Sequence, residues 1–149
     1  MSYSYQLIGS VVSRLNSNLS DEYNGIRNGD YVFGPDQKIN FNRFMPKYQV
    51  VFNGETTIDK SIGNDFTRTK NTTISVYAFS KRGDTGSYSQ LKNRDLILYL
   101  LDKAEESLKS YRMDNFSLIG VGDIEDFNYI TEQSTYLAAK PFIYKRRES

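Results

Sequence analysis

Three acidic residues that lie close together in the chain are the first candidates for chemistry. We call Asp123, Glu125 and Asp126 the acidic cluster. Oxygen-rich clusters of this kind can hold Ca²⁺ or Mg²⁺, but the spacing differs from that of an EF-hand loop and no second acidic motif accompanies it. We interpret the acidic cluster as a solvated turn between strands, because charge runs usually lie on exposed faces.

Two other segments have features of anion-binding sites. Gly120 and Gly122 follow a β-rich run, as in a dinucleotide-binding fingerprint, but the sequence lacks the third glycine and the following helix. Lys81 and Arg82 precede a predicted helix start, where free backbone NH groups attract phosphate. We expect Ser87 to cap that helix and so to occupy the free NH groups. We predict no bound cofactor and no bound metal ion for the protein.

Several common catalytic groups are missing from the sequence. It contains no cysteine and no histidine, which excludes a thiol nucleophile, a Cys/His zinc site, a haem ligand and an imidazole base. Carboxylates with serine or tyrosine can perform general acid–base catalysis, but the sequence shows no convergent pair. We therefore predict that the protein is not an enzyme.

Composition limits the class of protein further. The chain of 149 residues corresponds to one domain, 1–149, because a single core serves about 100–200 residues. The net charge is +1, so no strong field attracts nucleic acid or anionic membranes, and the basic residues 145–147 are interpreted as a solvated strand end. We find no bilayer-spanning apolar run and no secretory signal, and expect a cytoplasmic origin.

Hydrophobic periodicity predicts two helices. Apolar residues spaced three and four apart between residues 4 and 19 form one face of an amphipathic helix. A longer helix is predicted from a capping box at residues 87–90 to about Ser110. We place five apolar residues on its core-facing side: Leu91, Leu98, Leu101, Ala104 and Leu108.

Alternating or β-rich runs predict the strands. Residues 48–52 and 72–79 are each predicted to form a strand, and short extended pieces are expected at residues 31–33 and 38–44. Later runs indicate two or three antiparallel strands, the last pair a hairpin: residues 116–121, 124–130 and 135–144. The predicted fold class is α+β, an antiparallel β-sheet with the N-terminal helix and the long helix packed on one face.

Residues 55–70 are mostly polar and are predicted to form a long exposed loop. Mixed charge suits a docking rim that sets register and partner choice, and Tyr88 adds an aromatic group of the kind enriched at interfaces. The candidate interface residues are Glu55, Asp59, Lys60, Asp65, Arg68, Lys70, Lys81, Arg82 and Tyr88. An idle flexible loop is the alternative, because long loops cost little entropy.

Five sequence features, taken in order, carry a family resemblance. They are the N-terminal helix and four segments: FMPKYQVV (44–51), TTISVYAF (72–79), LILYLL (96–101) and YLAAKPFIY (136–144). In element order, length and hydrophobic pattern, nearly the whole chain resembles the tail-terminator and tail-completion proteins of long-tailed bacteriophages. The resemblance implies an α+β subunit that assembles into a ring, commonly a hexamer, which caps the tail tube and meets the head connector.

The resemblance favours a structural protein of the virion neck, assembled in the host cytoplasm. Its implied partners are further copies of itself, the tail tube protein and the head–tail connector. Residues 24–43 do not match the family pattern, so a head-completion or adaptor protein of the neck remains an alternative. A monomeric or dimeric binding or adaptor domain of cellular origin is a further alternative, which a hydrodynamic mass separates from a ring.

Overall fold

The computed structural model describes residues 3–19, 32–33, 47–62, 65–81, 93–113 and 115–146. These residues contain two helices, α1 (Tyr3–Leu19) and α2 (Asn93–Lys109). They also contain six strands: β1 (Val32–Phe33), β2 (Lys47–Ile62), β3 (Asp65–Lys81), β4 (Phe116–Val121), β5 (Glu125–Ile130) and β6 (Thr135–Arg146). Neither described helix is long and apolar enough to cross a membrane.

The strands form one sheet in the order β1-β2-β3-β6, and both β4 and β5 pair with the outer edge of β6. All pairings are antiparallel except that of the short β1 with β2. Pro141 lies between the stretches of β6 that pair with β4 and β5, and its carbonyl accepts a 2.9 Å hydrogen bond from the Gly122 NH. A Cβ at Gly122 would lie 2.4 Å from the Pro141 ring, so this junction requires glycine.

Both helices pack on one face of the sheet. α2 lies against β3 and β6, and α1 lies against α2 and β2. The core between the helices and the sheet contains fully buried residues of all three parts, such as Leu15 of α1, Ile97 of α2 and Val76 of β3. The buried Tyr48 hydroxyl donates a 2.6 Å hydrogen bond to the carbonyl of Leu100, which ties β2 to α2. The predicted α+β fold class is therefore confirmed, as is the hairpin of β5 and β6.

The core-facing side of α2 differs from the prediction at one residue. Leu98 is 37% exposed, whereas Leu96, Leu100 and Leu101 are fully buried. At about 100° per residue, Leu98 lies roughly 130° from the centre of the buried face, on the side of the helix that carries Glu105 and Lys109. The prediction of Leu98 as a core residue was wrong because apolar spacing alone does not show where the buried face ends.

The structure also corrects the prediction of a loop at residues 55–70. β2 and β3 remain paired in this region, from Glu55 opposite Thr72 to Ile62 opposite Asp65. A polar sequence is compatible with a ribbon of two strands because both faces of the ribbon can be solvated, and β-branched threonine suits such strands. Gly-Asn at positions 63 and 64 is a two-residue hairpin signal in the sequence that the loop interpretation missed.

Some predictions fall outside the described residues. They are the extended piece at 38–44, the capping box at 87–90 and the start of the long helix, including Leu91. Two candidate interface residues, Arg82 and Tyr88, also lie outside that part of the chain.

Candidate functional site

The most prominent feature is a part of β2 and β3 that extends past the rest of the sheet. We call residues 55–62 and 65–70 the β-arm. β6 pairs with β3 only as far as Asn71, opposite Lys145, and β1 reaches only Tyr48 and Gln49 of β2. In the described part of the chain, the β-arm is therefore a ribbon of two strands beyond the pair Thr56 and Asn71. At about 3.3 Å per residue, residues 57–62 extend roughly 20 Å past the sheet.

A β-bulge marks the base of the β-arm. The register between β2 and β3 shifts between Phe52 and Glu55, and Gly54 has a φ of 127°. Only glycine adopts this backbone conformation readily. Because a bulge bends its strand and increases its twist, it sets the direction in which the β-arm leaves the sheet. Phe52, directly before the bulge, is 42% exposed.

Charged residues of both signs lie along the β-arm. At its base, the Lys70 ammonium lies 3.8 Å from a Glu55 carboxylate oxygen, and both side chains are partly exposed. An exposed pair of this kind contributes only about 0.2–1 kcal/mol to stability. Its main effect is to hold β2 and β3 in register at the base of the β-arm. Farther out, the backbone register places Asp59 opposite Arg68.

The structure divides the predicted interface residues into two groups. Six of the candidate interface residues belong to the β-arm: Glu55, Asp59, Lys60, Asp65, Arg68 and Lys70. Lys81 lies at the opposite end of β3, where it pairs with Thr135. At about 3.3 Å per residue, that position is roughly 36 Å from Lys70 along the strand. Lys81 is therefore not part of the surface that the β-arm presents.

The acidic cluster lies at the surface, with Asp123 between β4 and β5 and with Glu125 and Asp126 as the first two residues of β5. The prediction of a turn between strands therefore holds for Asp123 alone. Its three side chains are exposed, and Asp126 has a left-handed φ of 55°. The described residues contain no group of three His, Cys, Asp or Glu residues that could hold a metal ion. The cluster has an electrostatic effect on the sheet: burial, followed by the negative charges of Asp126 and Glu125, raises the pKa of Tyr77.

A second surface feature, which the sequence analysis missed, is the edge of the sheet at β4. We call residues 118–121 the β4 edge. Ile119 is 52% exposed and lies at a register irregularity between Leu118 and Gly120. An open groove of about 350 Å³ separates the β4 edge from Glu105 and Lys109 of α2. The sequence of β4, Phe-Ser-Leu-Ile-Gly-Val, contains no charged residue and no proline. Edge strands usually carry such residues as protection against pairing, so their absence was the available signal of an unprotected strand.

A buried lysine connects the core to this groove. Lys140 lies on the helix-facing side of β6, and its ammonium group is 3.5 Å from Glu105 and 4.0 Å from Asp102. Glu105 also lies 3.5 Å from Lys109. The alternation of β6 places Lys140 in phase with buried Phe142, a signal that was present in the sequence. Because a buried charge is costly without a partner, the carboxylates explain how this lysine is tolerated.

One buried tyrosine lacks a hydrogen-bond partner. The Tyr144 hydroxyl is buried and accepts or donates no hydrogen bond among the described residues. Burial, with a smaller effect of Tyr111, raises the pKa of Tyr144 well above its usual value. Tyr144 belongs to the buried core cluster, so we assign it a packing role.

The geometry therefore supplies two surfaces suited to contact, the β-arm and the β4 edge. The arm offers backbone edges and mixed charge, and the β4 edge offers backbone groups beside an exposed isoleucine. Such edges pair readily with strands of other chains. No protein-family model matches the chain, and no curated protein matches it either.

Proposed function

We propose that the protein is a structural subunit of a bacteriophage neck that assembles into a ring, caps the tail tube and joins it to the head connector. The β-arm is the observation that supports this proposal. A ribbon of two strands has marginal stability in water by itself. A projecting ribbon of about 20 Å is therefore best explained by a neighbouring molecule that supports it after assembly.

An arm that binds a separate patch of another subunit can build a ring. The arm is one patch of the subunit, and the surface that receives it is a different patch. A ring forms when each arm binds the next copy in turn and the rotation closes, whereas two copies that exchange arms form a dimer. Mixed charge along the arm, such as Asp59 opposite Arg68, suits the choice of register and partner more than raw affinity.

The sequence resemblance supplies the biological setting of the proposal. It concerns element order and hydrophobic pattern over nearly the whole chain, and its implied partners are copies of this chain, the tail tube protein and the head–tail connector. In this setting the protein acts without catalysis or cofactor and resides in the virion. The role of the β-arm is then to fix subunits relative to one another.

Removal of the β-arm tests the proposal. Thr56 and Asn71 are register partners, so residues 57–70 can be replaced by Asn-Gly, which favours a tight two-residue turn. The described core cluster includes none of the removed residues, and circular dichroism should show a folded protein. Light scattering should show a multiple of 17.2 kDa for the original chain, six copies alone or with the tube protein, and a monomer for the trimmed chain.

A surface variant outside the arm provides the control. Glu132→Gln removes one exposed charge from the turn after β5 and should leave the assembled mass unchanged. Two results would contradict the proposal. One is a strict monomer for the original chain in both conditions, and the other is a folded, trimmed chain that assembles as well as the original.

A further inference from the structure

We propose that the β-arm of one subunit binds the β4 edge of the next copy and adds to it as an extra strand. The inference rests on the proposed function because it requires self-assembly. It goes further by naming the receiving surface, which is the groove between β4 and α2. Strand addition of this kind derives affinity from main-chain hydrogen bonds and specificity from the side chains beside them.

The first argument is that the β4 edge carries none of the usual side-chain protection. Within the described residues, β4 pairs with β6 alone. Natural proteins protect exposed edges with lysine, proline or a bulge, and residues 118–121 are Leu, Ile, Gly and Val. The β4 edge does contain a bulge-like irregularity. The residue at that irregularity is Ile119, which is 52% exposed, so an apolar side chain lies where a protective charge would be expected.

The second argument concerns the groove beside the edge. The groove has a volume of about 350 Å³ and lies on the face of the sheet that α2 covers, between α2 and β4. A strand added to β4 would lie about 4.8 Å away in the hydrogen-bonding direction, at the open side of this groove. Glu105 and Lys109 line the groove and contribute one charge of each sign. One face of the β-arm also carries both signs, because Asp59 is the register partner of Arg68 and directly opposite residues share a face. The charges of groove and arm can therefore be matched.

The third argument identifies the occupant as a second copy. The sheet order places β6 between β3 and β4, so the outer side of β4 faces away from the arm of its own molecule. The lengths agree, because the six residues of β4 and the six arm residues 57–62 each span roughly 20 Å. Donor and acceptor are different patches, so the same contact repeated from each copy to the next produces the head-to-tail geometry of a ring when the rotation closes.

Single cysteines can test this contact directly, because the natural chain contains none. Ile119→Cys places a thiol at the β4 edge. Lys60→Cys and Ser61→Cys place one on each side of an arm strand, since successive residues of a strand point to opposite faces. Glu132→Cys, at an exposed position of the turn after β5, is the matched control. Equimolar mixtures are oxidised mildly and separated by non-reducing electrophoresis, while light scattering reports the mass of each mixture.

The expected result is a disulfide-linked pair of chains when Ile119→Cys is mixed with one of the two arm variants. The Glu132→Cys control should give no such product with either. Assembly without any link between arm and edge would overturn this inference and leave the ring proposal standing. Self-linking of Ile119→Cys that exceeds the mixed product would also overturn it, in favour of a symmetric β4 contact. A monomer in all mixtures, both alone and with the tail tube protein, would overturn both proposals.

A charge at the edge provides the second variant. Ile119→Lys introduces the protection that natural edges carry, at an exposed position where the subunit itself should fold normally. Self-association should weaken roughly ten-fold or more, because the isoleucine would be buried in the contact, whereas Ile119→Val should assemble like the original. Unchanged assembly of folded Ile119→Lys, measured over a dilution series, would contradict the role of the β4 edge.

Discussion

Replacement of two leucines of α2 by alanine tests how this helix lies on the sheet. Leu101 is fully buried and Leu98 is 37% exposed. Removing three buried carbons from Leu101 forfeits about 2.4 kcal/mol of transfer free energy at about 0.8 kcal/mol each. The cavity left behind brings the loss to about 3 kcal/mol. At Leu98 the partly solvated site leaves no closed cavity, and the loss should be about 1 kcal/mol or less.

Urea unfolding, followed by circular dichroism, measures the difference between the two variants. With a slope near 2 kcal/mol/M, Leu101→Ala should lower the midpoint by roughly 1.5 M and Leu98→Ala by roughly 0.5 M. Two protein concentrations should be compared, because assembly would make the midpoint depend on concentration. Equal shifts for Leu98 and Leu101 would refute the placement of α2, since they would require the helix to be rotated about its axis.

Three further predictions concern charge and pH. Glu105→Gln should lower the unfolding free energy by about 1–3 kcal/mol, because it deprives buried Lys140 of its nearer carboxylate. Lys140→Met should change the unfolding free energy little, because it removes the buried charge itself. Urea unfolding of both variants measures this difference. Replacing all three carboxylates of the acidic cluster by amides should leave thermal stability and assembly unchanged, and loss of stability with a chelator that Ca²⁺ restores would contradict this. Tyr144→Phe should be neutral or stabilising at pH 7 because it removes an unpaired buried hydroxyl. Because the pKa of Tyr144 is raised in the folded state, this tyrosine ionises first in the unfolded chain. Stability should therefore fall as pH rises above about 10. Unfolding curves at alkaline pH should show a smaller fall for Tyr144→Phe.

The fold class could be predicted from the sequence because its main elements have strong periodicity. Residues 72–79 alternate cleanly and form part of β3, as predicted, and β3 lies inside the sheet between β2 and β6. α1 spans Tyr3–Leu19, close to the predicted residues 4–19. The pairing of both β4 and β5 with one edge of β6 could not be predicted, because it depends on long-range register that local patterns do not contain.

The surfaces proposed to act in assembly were only partly accessible to sequence reasoning. The charged residues of the β-arm were identified, but their structure was mistaken for a loop because polarity was given more weight than the Gly-Asn signal at 63 and 64. The exposure of Ile119 could not be predicted, since an apolar residue in a β-rich run is usually buried. Only the strand order shows that β4 lies at an edge.

The mass of the original chain in solution, compared with that of the chain lacking residues 57–70, tests the central claim most directly. Light scattering of the original chain, alone and with the tail tube protein, should give about six times 17.2 kDa in at least one condition. The trimmed chain should remain folded and monomeric in both. A strict monomer for the original chain in both conditions, or a trimmed chain that forms the same assembly, would contradict the proposal of a ring built through the β-arm.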